Sequence, residues 1–272
     1  MSKKKKNEMS FLDHLEELRW HLLRAFGAII VLAIAAFIFH DIIFDKIILA
    51  PKTPDFFTNR MFCAFSEIVN APTLCINSNP FEIINIQMAG QFTTHIMVSI
   101  IAGFILAFPY IFFEFWSFVK PALYSKEKGY AGGAVFYSSL LFLLGVLFGF
   151  YIITPLSVHF LGSYNVSDQV ENQINLTSYI STVAKVILAS GVVFELPVLV
   201  FFLTKIGIVT PSFLREYRKH SIVAILLLSA IITPPDIFSQ ILVCFPLLFL
   251  YEIGIIISKR VLAKEKARLE ED

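Results

Sequence analysis

Five stretches of the chain run almost without charge: Leu22–Phe39, Ile96–Phe113, Ala131–Ile153, Tyr179–Leu203 and Ile237–Ile257. A helix needs about 20 apolar residues to cross a hydrocarbon core roughly 30 Å thick, and each stretch meets or approaches that length. A sixth, Ser221–Thr233, has only 13 residues, roughly 20 Å of helix. Length alone would allow a buried core helix. Its place between two other spans, with Thr233-Pro234-Pro235-Asp236 as a turn, makes it a short membrane helix. The pattern predicts an all-α integral membrane protein of six transmembrane helices.

Ahead of the first span, Phe11, Leu15, Leu18 and Leu22 recur on one helical face, with Asp13, Glu16 and Glu17 elsewhere. Ser10 is a candidate cap. An amphipathic helix lying on the inner surface is expected there. The chain therefore divides into a tail with this helix (1–21), a transmembrane domain (22–257) and a second tail (258–272). The spans fall near 22–39, 96–113, 131–153, 179–203, 220–233 and 237–257. Between the first two spans, His40 to about Gln91 holds Pro51, Pro54, Pro72 and Pro80 and reads as an ordered cap or loop. Prolines also stand inside or beside spans, at Pro109, Pro155, Pro197 and Pro246. Each removes a backbone donor and frees the carbonyl four residues earlier. Together they predict a bundle curved into a concave shape.

Composition supports the membrane reading. Of 272 residues, 57% are hydrophobic and 16% charged, against roughly 25% charged in soluble domains. With the N-terminus in the cytoplasm, all of the 22 basic residues fall on inner segments except Lys46, Lys52, Arg60 and Lys185. That bias places both termini inside. Leu22–Phe39 is not a cleavable signal peptide, because no small-residue cleavage site follows it. Cys63 and Cys75 share the first exported loop. They form a bridge if that side is an oxidising periplasm and otherwise stay two loop thiols. No phosphate loop, nucleophile elbow or metal-spaced Cys/His cluster occurs, so no metal or other cofactor is expected.

The polar residues inside spans carry the functional question. Glu195, in Gly191-Val-Val-Phe-Glu-Leu-Pro-Val198, lies eight residues before the inner end of its span, roughly 12 Å. A charge near the bilayer centre costs about 2.5–3.5 kcal/mol on insertion scales, so this acid must face protein, water or a partner. It is either a functional group or a protonated acid bonded to a carbonyl such as that of Val193, which Pro197 releases. Gln240 and Glu252 in the last span also need partners, and Gln240 could supply a helix–helix hydrogen bond. Lys185 has a stem long enough to reach the outer interface.

Several segments in order resemble the TatC family, the core receptor subunit of the twin-arginine protein translocase. They are HLEELRWHLLR (His14–Arg24), FPYIFFEFWSFVKPALYSKEK (Phe108–Lys128), FELPVLVFFLTKIGIVTP (Phe194–Pro211), TPPDIFSQ (Thr233–Gln240) and LYEIG (Leu250–Gly254). The resemblance implies a six-helix, cup-shaped protein of the bacterial inner membrane, with both termini cytoplasmic. It implies binding of signal peptides with two consecutive arginines, at Glu17, Arg19, Phe118 and Glu127. Arginine forks pair bidentately with carboxylates, which lysine cannot copy. It further implies an intramembrane polar site at Glu195 and docking of single-span TatA- and TatB-type partners near Thr233 and Gln240. Asp236 would fix the turn, and transport would draw on the proton-motive force. Two other classes are a proton-coupled solute transporter using Glu195 and a structural scaffold. The first lacks an internal repeat, and the second leaves Glu17, Glu127 and Glu195 idle.

Overall fold

The computed structural model describes residues 11–78, 81–123, 131–167, 169–170, 172–233 and 237–271. Helix α1, Phe11–Ile38, runs unbroken for 28 residues. No proline interrupts this stretch, so the expected surface helix and the first span are one element. Helix α3, Gly90–Leu123, lies antiparallel beside it. The two backbones come so close that a Cβ on Gly103 would stand 2.6 Å from the amide nitrogen of Ala33. Only glycine allows that approach, a common device where helices pack within lipid.

Helix α4, Ala131–Phe148, passes through a π-helical turn, Gly149–Ile153, into α5, Thr154–Ser163. Helices α6, Leu176–Val193, and α7, Leu196–Lys205, follow. A short α8, Pro211–Glu216, leads to α9, Arg218–Ile232, and α10, Ile237–Glu271. Among the described residues, five helical stretches are long and apolar enough to cross a membrane: Leu15–Ile38, Gly90–Val119, Gly133–Ser163, Leu176–Lys205 and Ser239–Glu265. The sixth expected span corresponds to α9, whose 15 residues make about 22 Å of helix.

The four prolines behave in two ways. Pro197 opens α7 after a break at Phe194–Glu195, splitting the fourth apolar stretch into α6 and α7. Pro155 follows the π-helical turn. Helices α3 and α10, by contrast, continue through Pro109 and Pro246. The carbonyl that Pro155 leaves without a helical donor is that of Tyr151, and the Thr58 hydroxyl donates to it. Thr154 bonds back to the Gly149 carbonyl at 2.8 Å. The carbonyl freed by this proline is thus met by a side chain, while the Gly149 carbonyl accepts from both the backbone and the hydroxyl of Thr154.

Thr58 belongs to α2, Phe57–Val69, in the loop between α1 and α3. This loop is an ordered cap. Asn59, fully buried, donates to the carbonyls of Pro51 (2.9 Å) and Thr53 (2.7 Å). Asn77 donates to Asn59 Oδ1 at 3.2 Å and to the Pro155 carbonyl at 3.1 Å. Asn77 adopts φ +52°, a left-handed backbone that asparagine tolerates better than most residues. A disulfide joins Cys63 to Cys75. Two short parallel strands, β1 (Ile83–Ile84) and β2 (Ile174–Asn175), tie this loop to the one before α6, and Tyr179 donates to the Ile48 carbonyl at 2.9 Å.

Helix α6 is central. Its Ile180, Val183 and Ile187 face one apolar core with Val98 of α3, while Val186 faces another with Val200 and Leu247. Gly145 of α4 and Gly149 of the π-helical turn set its distance. A Cβ on the first would meet the Ser190 carbonyl at 2.6 Å, and on the second the Ser190 side chain at 2.9 Å. Gly149→Val therefore forces α4 from α6. We expect a loss of about 1–3 kcal/mol, the usual range for overpacking, read as a lower melting temperature in detergent.

Candidate functional site

The end of the bundle where α1 begins and α3 finishes carries an uncommon concentration of polar groups for a membrane helix pair. Glu17, His21 and Arg24 share one face of α1 at helical spacing, and Tyr110, Glu114 and Phe118 share one face of α3. Antiparallel packing brings these faces together. Glu114 is 4% exposed. Nδ1 of His21 donates to its Oε2 at 2.5 Å, and Nη1 of Arg24 stands 3.8 Å from the same oxygen. Tyr110 lies against the carboxyl one turn back on α3. The ring of Phe118 meets His21 edge-on, with centroids 6.1 Å apart. The register that joins Ala33 to Gly103 and His21 to Glu114 also sets Glu17 level with Phe118.

Two of the four residues expected to bind a peptide, Glu17 and Phe118, therefore stand together, both half-buried. Arg19 is exposed, two residues on from Glu17 and so turned away from the α3 seam. Glu127 lies outside the described residues. The His21–Glu114 pair was not anticipated from sequence. Its signal was present in the two polar stripes, but only antiparallel pairing of α1 and α3 shows that they meet.

Glu195 sits where α6 gives way to α7, at the N-cap of α7. Its own carbonyl accepts from Val198 and Leu199 at 2.9 Å. Oε2 accepts from the Ser138 hydroxyl of α4 at 2.8 Å. Oε1 is buried with no hydrogen bond of good geometry. The partner is thus a hydroxyl across the helix pair, not the Val193 carbonyl. On the neighbouring α3, Phe108 stacks on Phe142 of α4 at 3.6 Å. One turn before Phe142 on α4 is Ser138. The carboxyl therefore meets the Ser138 hydroxyl and the Phe142 backbone beside an aromatic wall.

At the α9–α10 hairpin, Thr233 is buried and its hydroxyl donates to the Ser229 carbonyl at 2.8 Å. Gln240 donates to the Leu226 carbonyl at 3.2 Å, the helix–helix bond its position allowed. Asp236 lies outside the described residues. Glu252 pairs with Arg218 at 2.7 Å, with both side chains about half exposed. Lys185 is exposed on α6. Among the described residues, no His, Cys, Asp and Glu cluster could hold a metal ion.

A family model described as TatC, Sec-independent protein translocase protein, matches residues 13–246. The chain is 42% identical over 265 residues to the Sec-independent protein translocase protein TatC of Blattabacterium sp. subsp. Periplaneta americana, covering 97% of this chain and 100% of that protein. It is 34% identical to TatC of Aquifex aeolicus, across 95% of this chain and 98% of that one. Two crystal structures of the twin arginine translocase receptor TatC superpose with TM-scores of 0.64 and 0.69. Their identities are 35% and 33%, over 92% and 90% of this chain and 99% of each of theirs. The chain belongs to the TatC family, as a multi-pass membrane component of the Sec-independent protein translocase and not an enzyme.

Proposed function

We propose that this protein recognises Arg-Arg signal peptides of folded cargo at the end of the bundle formed by the start of α1 and the end of α3. The observation that carries the reading is the placement of Glu17 level with Phe118, beside a seam clamped by His21 and Glu114. A carboxylate and an aromatic face suit a guanidinium, through a charge-assisted bond on one side and stacking on the other. Glu17 and Glu127 each take one arginine, and Arg19 helps fix the local charge. This end faces the cytoplasm, as do both termini. The basic bias of the sequence supports that orientation. Helix α9 is the short sixth membrane helix, and the bundle is curved around a concave face of the bacterial inner membrane.

Within that face, Glu195 gives a polar point for an inserted signal-peptide hairpin or a partner helix. Its buried Oε1 supports the reading, because a second acceptor is left for an incoming donor. Single-span TatA- and TatB-type proteins dock beside Thr233 and Gln240, with Asp236 fixing the turn between α9 and α10. Both described side chains already bond within the hairpin, which keeps its shape fixed for docking. Transport by the assembled complex draws on the proton-motive force.

The purified full chain in detergent should bind a signal peptide with Arg-Arg and largely lose one with Lys-Lys. Glu17→Ala or Glu127→Ala should weaken the first by roughly tenfold or more, the worth of one charge-assisted bond. Unchanged affinity in both variants would remove the assignment. Glu195→Ala is expected to impair export in a vesicle assay while peptide affinity stays at the wild-type level. At the seam, Glu114→Ala leaves the largely buried His21 without its partner. A loss of about 3 kcal/mol in stability is expected, with weakened peptide binding. Exchanging the pair, His21→Glu with Glu114→His, should recover part of both.

A further inference from the structure

Helix α2 is amphipathic in the reverse sense of a cap helix. Its polar side chains face the protein: Thr58, Asn59 and Ser66 are buried, and the first two hold backbone carbonyls. Its large apolar ones face away. Phe57, Met61, Phe65 and Ile68 are 67%, 53%, 54% and 78% exposed. Their spacing of four, four and three residues makes one stripe along the helix. Arg60 and Glu67, both exposed and seven residues apart, line one edge of that stripe.

This stripe is continuous with a second exposed surface. On α4 and the π-helical turn that follows it, Leu140, Leu144, Leu147 and Tyr151 are 44%, 47%, 49% and 40% exposed and recur at helical spacing within the candidate span Gly133–Ser163. That row faces hydrocarbon in a protein that crosses the membrane. The Phe57 ring meets Tyr151 edge-on at 6.5 Å, so the first residue of the α2 stripe touches the last of the α4 row. Thr58 bonds to the carbonyl of the same Tyr151. Tyrosine is enriched where spans meet the headgroups. Tyr151 lies two residues before the end of the apolar stretch Ala131–Ile153, so the join with α2 falls at the end of that stretch, and the stripe extends the α4 row sideways from it.

We propose that α2 is an interfacial anchor: its apolar stripe lies in the bilayer surface at the far end from the α1–α3 site, with Arg60 and Glu67 reaching the headgroup layer. Helices of this kind bury their apolar face roughly 5–10 Å into the headgroup and acyl boundary. The long Arg60 stem can snorkel from the edge. The buried asparagines and the Cys63–Cys75 disulfide hold the helix rotated so that its apolar side meets lipid. The occupant of the stripe is therefore acyl chain and headgroup, not a second copy or a partner helix.

The test uses the full chain in lipid nanodiscs. Phe65→Trp adds a reporter on the stripe, and Glu82→Trp adds one on an exposed part of the cap. Emission of each new tryptophan is taken as the difference from the parent, which keeps Trp20 and Trp116. With brominated acyl chains, Trp fluorescence at position 65 should fall by about half, the depth expected of an interfacial helix, while that at position 82 stays unchanged. In parallel, p-benzoylphenylalanine in place of Ile68 should crosslink to lipid on illumination. Absence of quenching at position 65, or equal quenching at both positions, overturns the proposal. A crosslink from position 68 to a second copy or to a co-purified protein does the same and marks the stripe as a protein interface.

Discussion

In hydrocarbon a polar group has no water to fall back on, and each one left unpaired costs several kcal/mol. The arrangement of this protein follows from where it places those groups and what it gives them. His21 and Arg24 are set against Glu114, and Ser138 against Glu195. Thr204 meets Ser258 at 2.8 Å where α7 packs on α10. In each case the partner comes from a different helix, so the pairs fix which helices are neighbours as well as neutralising themselves. The apolar rows between them, around Ile180 and Leu247, add packing without selecting a register so strictly.

Backbone groups are treated in the same way. A helix crossing a membrane satisfies its own ladder until a proline or a break interrupts it. After Tyr151 the missing donor is replaced by Thr58. At Phe194–Glu195 the ladder restarts, with Glu195 accepting from the first turn of α7. This break is also what brings an acidic side chain to a helix junction, where it can be aimed across at α4. The irregular backbone lies against other protein, a condition under which it is tolerated within a membrane.

Much of this was legible along the chain and some was not. The long apolar stretches correspond to the five described helices long and apolar enough to cross a membrane, because length and composition report directly on the solvent. Pro197 and Pro155 marked real irregularities. Pro109 and Pro246 carry the same local chemistry but sit in helices assigned without interruption. The residue type alone therefore does not decide a break; the surrounding packing does. Glu195 was visible as an acid in apolar surroundings, but Ser138 as its partner was not, being 57 residues away on another helix. The His21–Glu114 contact spans 93 residues and depends on the handedness with which α3 returns beside α1. Along α1 the side chains change from the polar face around Glu16 and Glu17 to an apolar run beyond Leu22 with no break in the backbone, since a change in polarity along a helix does not require one.

The bond between Asn77 and the Pro155 carbonyl joins positions 78 residues apart, whereas the disulfide closes only 12. The two ties must be made at different moments during biogenesis. Once Cys75 has been synthesised the local staple can form, but the amide has nothing to grip until the third apolar stretch has followed as far as Pro155. The early half of the cap is thus a waiting platform, and a ribosome stalled short of Pro155 would leave it stapled yet unseated.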